Sequence, residues 1–136
     1  LLGFVQDTQI QCVPNNKSTI AWIAPSSVKT QESKALVIPV SATKVIVAES
    51  IRPAGLHYKV PKQVEGMLVY EIDLTKNDHG MGMKLSLPTN REVRSYPFFL
   101  GGAPLQKGDS TSSNGFKISV IESGTFGDVI KVEKLN

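Results

Sequence analysis

Two stretches carry most of the β-forming strength of this chain: residues 35–49, ALVIPVSATKVIVAE, and residues 66–73, GMLVYEID. Val, Ile and Leu dominate them, and branching at Cβ favours extended backbone. The second stretch alternates at a period of two. Met67, Val69 and Glu71 share one face, and Leu68, Tyr70 and Ile72 share the other. In residues 44–50 the two sets are Val45 with Val47 and Ile46 with Ala48. Both are apolar, which predicts a strand covered on both sides.

Weaker segments extend the pattern. Residues 19–23, TIAWI, read as a strand stopped by Pro25, with Trp22 expected in the core. Residues 35–40 and 44–50 are two strands joined tightly through residues 41–43, and Pro39 predicts that the first is an edge strand or carries a bulge. Residues 66–74, 83–87, 116–122 and 128–133 read as further strands, the last two forming a terminal hairpin through residues 123–127. Residues 6–18 are polar and turn-like, 51–65 read as a loop, and 76–82 as a turn. Residues 89–115 read as a long loop with no element beyond 96–100. The expected fold is all-β: a small β-sandwich or open barrel of about seven to eight short, mainly antiparallel strands. Residues 1–136 read as one β domain, and the apolar start without Met suggests a processed form or a fragment of a larger protein.

A chain of 136 residues with 40% hydrophobic content buries a core without disulfide staples. The net charge of +3 comes from scattered Lys and Arg, with no basic run interleaved with aromatics, which argues against nucleic-acid binding. No apolar stretch has the length of a membrane span. Cys12 is the single cysteine, so neither an internal disulfide nor a cysteine metal cluster can form.

Candidate chemistry is sparse. The histidines are His57 and His79, without the H-E-x-x-H spacing that holds a hydrolytic zinc. A Gly-x-Ser-x-Gly elbow and a glycine-rich phosphate loop are also missing. No catalytic, cofactor-binding or metal-ligating residue is therefore assigned. Glu49, Glu71 and Asp73 make a carboxylate pair only if their strands adjoin and their side chains converge. Tyr96, Phe98 and Phe99, around Pro97, are the candidate ligand or partner surface, since an exposed aromatic loop is costly unless covered.

The order of segments carries one resemblance. Leu2-Gly3-Phe4-Val5 with Asp7 is followed by the apolar run 35–39, then Val47-Ala48-Glu49-Ser50, then Gly66-Met67-Leu68-Val69-Tyr70-Glu71-Ile72-Asp73. Pro104-Leu105-x-x-Gly108, Gly115-Phe116-x-Ile118, Ile121-Glu122-Ser123-Gly124 and Gly127-Asp128-x-Ile130-x-Val132 close the series. This series resembles the all-β carboxy-terminal region of secreted bacterial M6-like zinc metallopeptidases, over nearly the whole chain. Where that family often has Arg directly after the Glu-Ser pair, this chain has Ile51 and then Arg52. The resemblance implies a non-catalytic accessory domain, extracellular or at the cell surface, that braces the peptidase domain of the same polypeptide or shapes its substrate cleft. Zinc is then expected in that domain, with no cofactor in this chain. Glu49, Arg52, Tyr70 and Asp73 are the candidates for domain packing or cleft support. The alternative is a free-standing extracellular module that binds glycan or protein.

Overall fold

The computed structural model describes residues 5–76, 82–93 and 101–136, without the side chain of His57. Among the described residues, nine strands lie in two sheets: β1 (Ile10–Cys12), β2 (Thr19–Ile23), β3 (Ala35–Pro39), β4 (Lys44–Ile51), β5 (Gly66–Asp73), β6 (Met83–Leu85), β7 (Ser110–Ser113), β8 (Phe116–Gly124) and β9 (Gly127–Lys134). The five-stranded sheet runs β1-β3-β4-β5-β6 and the four-stranded sheet β2-β9-β8-β7. Every strand pair is antiparallel except β1 with β3. Among the described residues the only helical segments are three short 3-10 turns, at Asp7–Gln9, Gly55–His57 and Lys62–Val64. The all-β reading holds, as a sandwich and not as a closed barrel.

The core lies between the sheets. Leu36, Ile38, Ile46, Ala48, Met67 and Val69 enter it from the five-stranded sheet, and Ala21, Ile23, Phe116, Ile118, Val120, Ile130 and Val132 from the other. Each set follows the period of two, so β2, β3, β4, β5, β8 and β9 deliver alternate side chains to a common interior.

Four expectations are corrected. Trp22 is not a core residue: it is 43% exposed, on the outward face of β2, while Ala21 and Ile23 point inward. Its indole Nε1 donates to the Phe126 carbonyl at 2.8 Å, which holds the ring over the β8–β9 turn. Pro39 does not mark an edge strand, because β3 lies between β1 and β4. It is tolerated because β1 pairs β3 only as far as Val37, so nothing needs an N–H from Pro39 on that side. Residues 6–18 contain β1, and the segment 89–115 contains β7. A two-residue turn, Asn114-Gly115, joins β7 to β8, with positive φ of 48° and 81°. Asn and Gly are the residues that accept such angles in a tight hairpin.

Candidate functional site

The register of the five-stranded sheet arranges its outward side chains in rows across the strands. One row is Ile10, Ala35, Glu49 and Leu68. The next is Cys12, Val37, Val47, Tyr70 and Leu85. The third is Pro39, Val45, Ile72 and Met83, which is 59% exposed. Glu49 is the single charged group on these rows. The outward face of the four-stranded sheet is mixed, with exposed Ile20 (61%) and Trp22 (43%) among polar and charged groups. Its rows read Ile20, Lys131, Ser119, Ser110 and then Glu133, Lys117, Ser112, with Lys131 and Glu133 ion-paired at 2.7 Å. The second surface intersperses apolar and charged groups, whereas the rows of the first are apolar apart from Glu49.

Glu49 and Tyr70 meet on the apolar face, as diagonal neighbours on β4 and β5. Burial pushes the Tyr70 phenol up to about 12, and the negative charge of Glu49 and its hydrogen bond with the phenol add to the effect. The phenol ionises less readily in the folded chain than in the unfolded one, so its contribution to stability is complete below pH 10 and is lost as pH rises toward about 12. Of the three tyrosines, one is therefore expected to stay protonated past about pH 11 in a spectrophotometric titration. Ionisation of all three together near the ordinary value would contradict this placement.

Arg52 follows β4 and crosses to the other sheet. Its Nη2 donates to Asp128 Oδ1 and to Ser123 Oγ at 3.2 Å, and its Nη1 lies 3.8 Å from Glu65 Oε2. Ser50 Oγ, from β4, donates to Asp128 Oδ2 at 2.6 Å, and Ser123 Oγ donates to Oδ1. Asp128 is wholly buried and Arg52 nearly so. Ser50 comes from one sheet and Asp128 from the other, so these groups form a polar latch across one end of the sandwich. Beside it lies a cavity of about 270 Å3, lined by Arg52, Pro53, Ala54, Glu65, Gly124 and Thr125. The carboxylates that Arg52 meets are thus Asp128 and Glu65.

Asp73 sits at the far end of β5. It accepts from Thr75 Oγ1 at 2.6 Å and from the Thr75 N–H at 3.0 Å, and pairs with Lys44 at 3.5 Å. The Thr75 hydroxyl and N–H bonds, helped by Lys44, hold its carboxyl below the usual range. Glu71 shares the inward side of β5 with Asp73, whereas Glu49 points outward from β4. The strands adjoin, but Glu49 faces away from the other two carboxylates, so the three do not form a hydrolytic pair around one cleft. Of the four packing candidates, Glu49 and Tyr70 come together, Arg52 joins the latch, and Asp73 caps the opposite strand end. Tyr96, Phe98 and Phe99 lie outside the described residues.

Sequence reasoning missed Asp128 and Ser123 as partners of Arg52, and it missed a second ion pair. Arg91 Nε donates to Asp109 Oδ2 at 2.8 Å, while its Nη1 and Nη2 hold the Gly102 and Pro104 carbonyls at 2.7 and 2.9 Å. Burial alone would raise the Asp109 carboxyl, but the Gln106 N–H, Asn90 and Arg91 outweigh it and hold the carboxyl below its ordinary value. Among the described residues, no group of three or more His, Cys, Asp or Glu is placed to hold a metal ion. No helix there is long and apolar enough to cross a membrane. Comparison with protein-family models, with curated proteins and with solved structures finds no match to this chain.

Proposed function

We propose that this chain is a non-catalytic accessory domain of a secreted M6-like metallopeptidase, and that it docks on the peptidase domain of the same polypeptide. The observation that carries this reading is the outward face of the five-stranded sheet, with three apolar rows crossed by one carboxylate. Burying such rows against a neighbouring domain removes apolar area from water at about 25 cal/mol per Å2. The segment order described above supplies the kind of neighbour. Peptide hydrolysis in the parent then belongs to zinc held by the other domain, and this domain braces it or shapes its substrate cleft. Glu49 and Tyr70 supply the polar contact on an otherwise apolar interface, which suits positioning more than affinity.

The test uses the intact natural polypeptide. Ile72→Lys places a charge in the third row, where the side chain is only half-buried, so the sandwich core is untouched. It is expected to weaken docking by about 2 kcal/mol and to speed cleavage between the two domains by limited proteolysis at least severalfold. Ile20→Lys, on the mixed outward face of the other sheet, is the control and is expected to change neither. Equal effects from both substitutions, or none from Ile72→Lys, would sink the docking assignment.

A further inference from the structure

A second concave surface opens between the sheets, at the side where both end in edge strands, β6 and β7. It is a cleft of about 550 Å3, within the ~300–1,000 Å3 of small-molecule sites. Glu71, Lys84, Thr89, Ser113 and Asn114 bring polar groups to it, and Leu85 and Leu87 line it with apolar surface. Asn114 Nδ2 donates to Glu71 Oε2 at 2.8 Å, and Ser113 Oγ reaches the same oxygen at 3.4 Å. Among the described residues both protein bonds fall on Oε2, which leaves Oε1 to accept from a ligand.

The geometry is fixed before any ligand arrives. Asn114 occupies the left-handed position of the two-residue β7–β8 turn, and its amide is held by donating to Glu71 Oε2 and to Ser113 Oγ at 2.9 Å. Glu71 and Lys84 are direct register partners on β5 and β6, so their charges offset each other. A phosphate or carboxylate group therefore gains little net attraction here. An extended peptide is also poorly served. The start of β7 is already covered, because Thr89 N donates to the Ser110 carbonyl at 2.9 Å and Ser110 N donates to Asn90 Oδ1. What the cleft offers is a carboxylate oxygen, an amide, hydroxyls and an ammonium around an apolar wall. That set matches a neutral polyhydroxylated ligand, whose adjacent hydroxyls donate to the carboxylate and accept from the amide and ammonium.

We infer that the cleft between β6 and β7 binds a neutral saccharide unit, with Glu71, Lys84 and Asn114 as its polar contacts. The polar contacts face between the sheets, while Leu85, at the β6 edge, is shared with the second docking row.

Saturation-transfer NMR tests it with cellobiose, maltose and N,N′-diacetylchitobiose. Glucose 6-phosphate, galacturonate and a capped tetrapeptide serve as contrasts. At least one neutral disaccharide is expected to bind with a dissociation constant of about millimolar. Glu71→Gln keeps an acceptor for Asn114 but removes the charge, and is expected to weaken binding about tenfold. Asn114→Gly preserves the turn while deleting the amide, and should weaken it comparably. Unchanged thermal midpoints would show that both variants still fold. Binding that survives both substitutions, preference for a charged sugar or the peptide, or no saccharide signal up to tens of millimolar would overturn the assignment.

Discussion

Asp128→Ala is expected to lower the unfolding free energy by about 3–5 kcal/mol, the loss typical of removing one partner from a buried charge pair. Asp128 is fully buried and accepts from Arg52, Ser50 and Ser123. Without it, the guanidinium remains in the interior with the longer Glu65 contact as its only carboxylate, beside the neutral Ser123 hydroxyl, and two hydroxyls lose their acceptor. The penalty is thus mostly the cost of an uncompensated charge, not the net strength of the pair. Burial also keeps salt from screening the interaction, so the loss should be nearly the same in dilute buffer and in about 1 M salt. Urea unfolding of the variant measures it. A loss below about 1 kcal/mol, or one that disappears in salt, would mean that the groups are solvated and do not latch the sheets.

Gly127→Ala is expected to cost about 2–6 kcal/mol, from two sources that add. Gly127 has φ of +111°, a conformation that strains any L side chain by about 1–3 kcal/mol. A Cβ there would also lie 2.1 Å from the Ile23 carbonyl oxygen and 3.0 Å from Ala24 Cα. Those are backbone atoms on the neighbouring strand and cannot swing aside as a side-chain tip would, so β2 or β9 must shift, at about 1–3 kcal/mol. The consequence is specific, because Gly127 precedes Asp128 and the latch depends on the position of this strand end. Thermal unfolding of Gly127→Ala beside Gly108→Ala separates the causes: Gly108 also has positive φ, at +90°, but has open space around it. Gly127→Ala should be the more damaging. Equal losses would mean that backbone strain acts alone and the close approach to β2 does not matter.

Legibility from sequence followed local signal strength. Residues 19–23 read end to end as a strand, and Pro25 marks where it stops. Alternation nevertheless yields two faces without saying which turns inward. The large Trp22 was expected inside, whereas the smaller Ala21 and Ile23 fill the interior and the Phe126 carbonyl holds the indole outside. β7 is written in Ser and Thr, residues that read as loop, so only the Asn114-Gly115 pair before Phe116 could have disclosed a hairpin. β1 has three residues and a parallel partner far along the chain, which leaves almost no local trace. The latch was illegible for the same reason, since Arg52 and Asp128 are 76 positions apart. The apolar outward face was half-visible: residues 44–50 and 66–73 show apolar side chains on both sides. The pairing register was needed to align them into rows with β1, β3 and β6.

The glycan-binding alternative changes place in this account. The aromatic loop at Tyr96, Phe98 and Phe99 carries no argument, while the cleft beside Glu71 offers a pre-set polar constellation. On the proposed function, a sugar-binding cleft bordering the docking face would hold a peptidase domain near glycosylated or polysaccharide-bound substrates.

The accessory-domain reading is tested most directly by the complete reading frame of the natural polypeptide, together with its intact mass and zinc content. The account predicts a protein longer by a catalytic domain, with H-E-x-x-H upstream of these residues and one zinc per polypeptide. A natural polypeptide that carries nothing before this sandwich except a leader, and binds no zinc, would contradict it.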